Sequence, residues 1–345
     1  MTRLDAYLDE ATLLPYLARA VPAIGAVQGI TRITSGSSNE LFELSTDAVP
    51  VILRRPPRQR LSASAHDVAR EHRVLTALAG SPVPHPAPLH LCVDESVIGA
   101  PFLLMSKVDG FHLKAPYPEH ALRPGAMRAM MLDFIEVIAQ LSNVDWEAAG
   151  LTGFGRHPVD YLDRQVDRWL GQLAHYQTRD LPKLTEVAAW LRANQPRSGP
   201  PGIIHGDYQF LNVLFANDRP QVAGVLDWEQ STIGDPLVDL GWVLGLWTQA
   251  GEESPLNAFY GNASQTPDAP TRADLAERYA TVSGRPVEHR AYYEILALFK
   301  LGCIAEGSYY RHIKNLSDTA LHADFEWIVP KLITTAHAIT RGERD

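Results

Sequence analysis

From Val27 to Arg55 the chain alternates apolar and polar positions in three short runs, GITRIT, ELFELS and PVILRR, separated by the turn-like SGSSN and TDAV. Alternation with period two, punctuated by Gly, Ser, Asn and Asp, predicts a β-meander. From Ala63 to Leu78 the period lengthens: Val68, Leu75 and Leu78 fall on one side with charges opposite, which predicts a helix. SPVPHPAP then interrupts regular structure, and PLHLCVDE and PFLLMSKV read as two further strands. Lys107 to Gly110 read as a crossing segment. Beyond it the pattern is helical over roughly 124–142, 159–174, 182–194, 270–282, 286–304 and 317–340. The exception is 203–227, where two short strands bracket polar loops. Five strands and one helix, followed by a helical remainder, predict an α+β fold with the parts meeting near residues 106 and 107.

Length strengthens that division, because 345 residues exceed what one small core usually organises. Hydrophobic residues make up 46% and charged residues 21%, a globular composition. A formal charge of −9 argues against nucleic acid as a partner, since phosphate contacts need clustered Lys and Arg. The acidity is concentrated late: 9 Lys+Arg face 10 Asp+Glu up to residue 106, and 22 face 30 after it. Cys92 and Cys303 have neither metal-ligand spacing nor a disulfide framework, which fits a reducing, cytoplasmic setting. The first residues, MTRLDAYLDEATLLPYL, are amphipathic and carry acids, so they read as a helix and not a signal peptide. No stretch is long and apolar enough to span a bilayer, and no membrane partner is expected.

Candidate chemistry gathers in IIHGDYQFLNVLF, residues 203–215. Asp207 alone reads equally well as the cap of a tight turn. Asn212 follows five residues later, however, and Asp227 closes the apolar run VAGVLD fifteen residues after that. An Asp, an amide and a second Asp after a hairpin form a set suited to phosphoryl transfer. One carboxylate orients the attacking hydroxyl and takes its proton, while the amide oxygen and the other carboxylate hold Mg²⁺ on nucleotide phosphates.

HGDYQFLN and VLDWEQSTIGDPLVDLGW together resemble the H-G-D-x-x-x-x-N and D-W-E…G-D-P-x-x-D-L signatures of the aminoglycoside phosphotransferase and choline kinase-like superfamily. VILRRPP with RQVDRW is similar, within it, to the kinase-like segments attached to acyl-CoA dehydrogenases. The resemblance covers most of the chain and implies a bilobal, protein-kinase-like fold. Residues 1–106 would be a small nucleotide-binding lobe of sheet and one main helix, and 107–345 a larger helical lobe with the catalytic and metal loops. It implies an ATP- and Mg²⁺-dependent kinase, with GTP open. Asp207 would be the catalytic base, and Asn212 and Asp227 the metal ligands. Arg54 would pair with the nucleotide phosphates and with Glu71. Ser35, Gly36, Ser37, Ser38 and Asn39 would form the phosphate-covering loop, and Ser106 and Val108 the adenine-facing hinge. His205 would orient the loop, Trp228 and Glu229 would brace it, and Asp235 and Asp239 would start a helix beside it.

The acceptor is a small hydroxylated molecule. If 160–169, DYLDRQVDRW, is helical, Arg164 and Arg168 stand on one face with Trp169 in the adjacent row. Two guanidinium groups beside an indole suit a hydroxy acid or its thioester, with an aminoglycoside as the alternative acceptor. Two other classes of function stand beside this one: a nucleotide-binding pseudokinase, and a metal-dependent hydrolase built on His205 and Asp207. The oligomeric state has no signal in the sequence.

Overall fold

Five antiparallel strands organise the N-terminal part: β1 (Val27–Ile33), β2 (Glu40–Thr46), β3 (Val51–Arg55), β4 (Pro88–Cys92) and β5 (Phe102–Ser106), in the order β1-β2-β3-β5-β4. The structure is a computed structural model and describes residues 8–33, 39–57, 67–252, 263–316 and 321–344. Strand β3 lies in the middle of the sheet, so the side chains of VILRR alternate between two covered faces. Phe42, Leu44, Val51, Leu53, Phe102 and Leu104 point one way and form a core with Leu13 and Leu17 of α1 (Glu10–Ala20). Leu103 and Met105 point the other way, toward α2 (Val68–Ala77), and Ile52 packs with them. Asp67 caps α2 by accepting the amides of Ala69 and Arg70 at 3.0 and 3.1 Å.

The core under α2 continues without a break into the helical part. There lie α3 (Ala126–Leu141), α4 (Gln165–Leu173), α5 (Leu184–Ala193), α6 (Leu237–Leu246), α7 (Arg272–Ser283), α8 (Arg290–Ile313) and α9 (Leu321–Thr340). Helix α6 is apolar on every side because it is buried on every side; Asp239 is its exception. Gly241 sits directly against Tyr293 of α8, and Gly245 against Glu294, so a Cβ at either position would collide with that helix. No helix among the described residues is long and apolar enough to cross a membrane.

Three expectations are corrected. The segment around 203–227 contributes three short strands, not two, and a fourth follows it: β6 (Gly202–Ile204) pairs with β9 (Thr232–Gly234), and β7 (Val213–Phe215) with β8 (Val222–Val225). Strands of three or four residues are too short to leave a periodicity to read. Helix α8 runs on to Ile313, well beyond 304, because Gly302 and Gly307 are close-packing positions against Ile333 and Tyr176 and do not end the helix. The helix expected over 159–174 begins only at Gln165, after a single 3₁₀ turn at Leu162–Arg164. Tyr161 is held by its ring against Gly234 of β9, which fixes the chain there in a turn.

Candidate active site

Strand β6 delivers His205, Gly206 and Asp207 into a tight turn in which Gly206 has φ 88°. A Cβ there would lie 2.8 Å from the Gln230 carbonyl, so conformation and space both require glycine. Asp239, in the first turn of α6, accepts the amides of His205 at 2.6 Å and Gly206 at 2.9 Å. Asp235 accepts from the Leu237 amide at 3.0 Å and from the Tyr293 hydroxyl at 2.8 Å, which fixes where α6 begins. The fully buried His205 ring has Nε2 2.9 Å from the Leu226 carbonyl, and its Nδ1 takes the Asp207 amide at 3.3 Å. A carbonyl accepts and an amide donates, so both ring nitrogens are committed to holding backbone.

Asp207 is set by two amide side chains. Gln209 donates to Oδ1 at 2.9 Å, and Asn212 donates to Oδ2 at 2.9 Å and to the Asp207 carbonyl at 2.8 Å. Burial pushes the Asp207 carboxyl above its ordinary value, and the nearby Asp227 charge adds to this. Lys300, His205 and the Asn212 bond pull it back. The Leu226 amide donates to the Asn212 carbonyl at 2.7 Å, which brings Asp227 beside the turn. Asp227 itself adopts the left-handed conformation, φ 62° and ψ 65°.

On the sheet side stands Arg54, on the α2-facing side of β3 and 5% exposed. Its Nε is 2.9 Å from Glu71 of α2, and its Nη2 is 2.5 Å from Asp227 and 3.1 Å from Glu229. Asn39 donates to the same Glu229 oxygen at 2.8 Å. Burial opposes the Arg54 charge, but Glu71, Asp227 and Glu229 outweigh it and hold the guanidinium above its ordinary range. Burial also pushes Glu71 up to about 7, against the pull of Arg54. Arg55 points to the opposite face, where it pairs with Glu40 at 3.0 Å and donates to the Ile98 carbonyl at 2.9 Å.

Among the described residues no group of three or more His, Cys, Asp or Glu is placed to hold a metal by itself. A two-ligand site that takes its other oxygens from phosphate and water is compatible with this. The residues present fit such a site: both donors of Asn212 are spent on Asp207, which turns its amide oxygen outward, and the Asp227 charge destabilises the ionised Asp207. A divalent cation held there would relieve that repulsion.

Beyond the turn lies a small cavity walled by Tyr161, Gln165, Trp169, Trp242, Tyr293 and Lys300. Trp169 therefore lines it, with the Arg168 guanidinium 4.8 Å from its ring on the outer side. Arg164 does not stand beside Arg168 on one helix: it precedes α4, and its guanidinium donates to the carbonyls of Arg156 and His157. Ser106 exchanges backbone and side-chain bonds with Ala87, and Val108 packs over Gly224 of β8. Ser35, Gly36, Ser37 and Ser38 lie outside the described residues. Lys300 was missed from sequence, although a lone Lys inside the apolar run EILALFKLGCIA was a usable signal.

The model of the phosphotransferase enzyme family matches residues 29–276. Acyl-CoA dehydrogenase family member 11 of Gallus gallus is 34% identical over 338 residues, which is 93% of this chain and 42% of that protein. The chain thus spans less than half the length of that relative. A Ralstonia eutropha protein assigned to the aminoglycoside phosphotransferases superposes with a TM-score of 0.80 and 28% identity, over 97% of this chain and 99% of that one. A thermostable mutant of aminoglycoside phosphotransferase APH(4)-Ia, in ternary complex with AMP-PNP and hygromycin B, shares the fold at a TM-score of 0.62 and 14% identity, over 96% and 98% of the two chains. With its signature residues gathered around one turn and the family match covering most of its length, the chain belongs to the phosphotransferase enzyme family, as a transferase of the kinase-like fold.

Proposed function

We propose that the chain is an ATP- and Mg²⁺-dependent kinase that moves the γ-phosphoryl group to the hydroxyl of a small anionic acceptor, such as a hydroxy acid or its thioester. Residues 1–106 serve as the nucleotide-binding lobe and 107–345 carry the catalytic and metal loops. The observation that carries the reading is the position of Asp207, pinned by Asn212 and Gln209 within reach of the charges of both Asp227 and Lys300. Asp207 orients the acceptor hydroxyl and takes its proton as the bond to phosphorus forms. Asn212 and Asp227 would hold Mg²⁺, which supplies charge neutralisation on the phosphates. Arg54, oriented by Glu71, addresses the α- and β-phosphates with its guanidinium fork, a geometry Arg can use where protein kinases use Lys. The adenine edge rests on the backbone of Ser106 to Val108.

A second reading, an aminoglycoside acceptor, draws on the hygromycin B complex of a relative in fold. A cavity bordered by Lys300, with Arg168 close by, favours the anionic acceptor over a polycation. Asp207→Ala tests the proposal: kcat should fall by about 10³-fold while nucleotide affinity stays near wild type, because the base acts on the acceptor. ATP consumption assayed against a panel of hydroxy acids, their thioesters and kanamycin reads both points. Turnover that survives in the variant sinks the mechanism, and efficient kanamycin phosphorylation selects the second reading.

A further inference from the structure

The cavity beside Asp207 already contains a cation, and it belongs to the chain. Lys300 of α8 donates to the Gly206 carbonyl at 2.7 Å. Its ammonium also lies 4.5 Å from the ring centroid of Trp242 and 5.6 Å from that of Trp169. Two indole faces around a desolvated ammonium are the arrangement by which proteins recognise alkylammonium ligands. Here the guest is tethered. Burial lowers the Lys300 pKa to about 8 against the pull of Asp207 and Asp239, so it is charged at neutral pH. The charged groups facing it are those two carboxylates and the Arg168 guanidinium.

Two residues of the wall also carry buried donors. The indole N–H groups of Trp169 and Trp242, each 6% exposed, have no hydrogen-bond partner among the described residues, and both residues line the cavity. Unpaired buried donors await an acceptor atom. Asp239, the nearest acid besides Asp207, is occupied with two backbone amides. Without Lys300 the same cavity would present the Asp239 carboxylate and two open indole faces, with the Asp207 charge nearby, and its preference would invert.

We propose that Lys300 is a specificity-determining residue of the acceptor site: its ammonium fills the aromatic box, so the site rejects alcohols that carry an ammonium group and admits neutral or anionic ones. The proposal rests on reading this cavity as the acceptor subsite. Its test needs no turnover, so the two readings fail separately. Tetramethylammonium chloride is titrated calorimetrically into the full chain, with sodium chloride of equal ionic strength as the control. Lys300→Ala should bind the probe about tenfold more tightly than wild type, the gain expected when an ammonium reoccupies a desolvated aromatic box. Adding Trp242→Leu to that variant should abolish the gain. Thermal unfolding identifies folded protein, and Lys300→Ser repeats the test should the Ala variant fail to fold. Equal affinity in wild type and variant, or no binding to a folded variant, overturns the proposal. So does tetramethylammonium binding by wild type that Trp242→Leu removes, a result that needs no Lys300 variant.

Discussion

The turn of His205, Gly206 and Asp207 lies between two basic side chains that the protein treats in opposite ways. On the sheet side, Arg54 sits among Glu71, Asp227 and Glu229, and its charge is held more firmly than in water. On the helical side, Lys300 rests on a carbonyl and two tryptophans, and burial brings its pKa down to about 8. The guanidinium is the group that cannot lose its proton, with a fork that serves several oxygens at once. The ammonium is a point charge that tolerates an aromatic setting and gives up its proton readily when desolvated. On the proposed reading, the nucleotide side would keep a permanent cation under polyphosphate, and the acceptor side one that selects by exclusion.

Breaking the first region should have the larger effect. Arg54→Ala leaves Glu71 buried without its partner, and the expected cost is about 3 kcal/mol of stability, with kcat falling as well. Adding Glu71→Ala should then cost less than the sum of the two single variants, because the pair acts as one unit. Denaturant unfolding of the four proteins measures both effects, and strict additivity would show that the pair is not coupled.

Lys300→Met should cost less, about 1–2 kcal/mol, since the loss of the bond to the Gly206 carbonyl is partly offset by relief of a buried charge. Its sign with pH sharpens the comparison. Folded Lys300 releases its proton near 8 and the unfolded side chain near 10.5, so between those values the unfolded state binds more protons and stability rises with pH. Wild type should therefore gain on Lys300→Met as pH climbs through that window. Melting temperatures of the two proteins across it decide the matter, and a constant gap would refute the desolvated ammonium.

The smallest effect belongs to Arg164. Its side chain is exposed and ties only the carbonyls of Arg156 and His157, so Arg164→Ala should change stability by less than about 1 kcal/mol. Acceptor KM should hold as well. A large rise in KM would restore Arg164 to the acceptor site and widen the helical region of the comparison.

What the sequence revealed follows the distance over which each feature is encoded. HGDYQFLN packs Asp207, Gln209 and Asn212 into one local turn, and their mutual bonds follow from that short span. Arg54 came from the family resemblance, and strand alternation, which sends neighbours to opposite faces, gives it and Arg55 different partners. Glu229 was read as a brace from its position, but its bonds to Arg54 and Asn39 join residues 175 and 190 positions apart and needed coordinates. Lys300 reaches Gly206 from 94 residues away through the stacking of α8 on α6, and no local period records such an approach. The DYLDRQVDRW helix was drawn too long because its amphipathic pattern persists through residues that Tyr161 holds in a turn against β9.

Asp239 takes the amide hydrogens of His205 and Gly206 from inside α6, a helix itself locked to α8 at Gly241 and Gly245. Both hydrogens are bonded to Asp239, so their exchange is expected to require α6 to lift away. Their exchange with deuterium should therefore proceed at the rate of global opening, as slowly as that of the most protected core amides. For an enzyme of this kind, the acceptor side of the cleft would be a fixed anvil, and any closing stroke would have to come from the sheet.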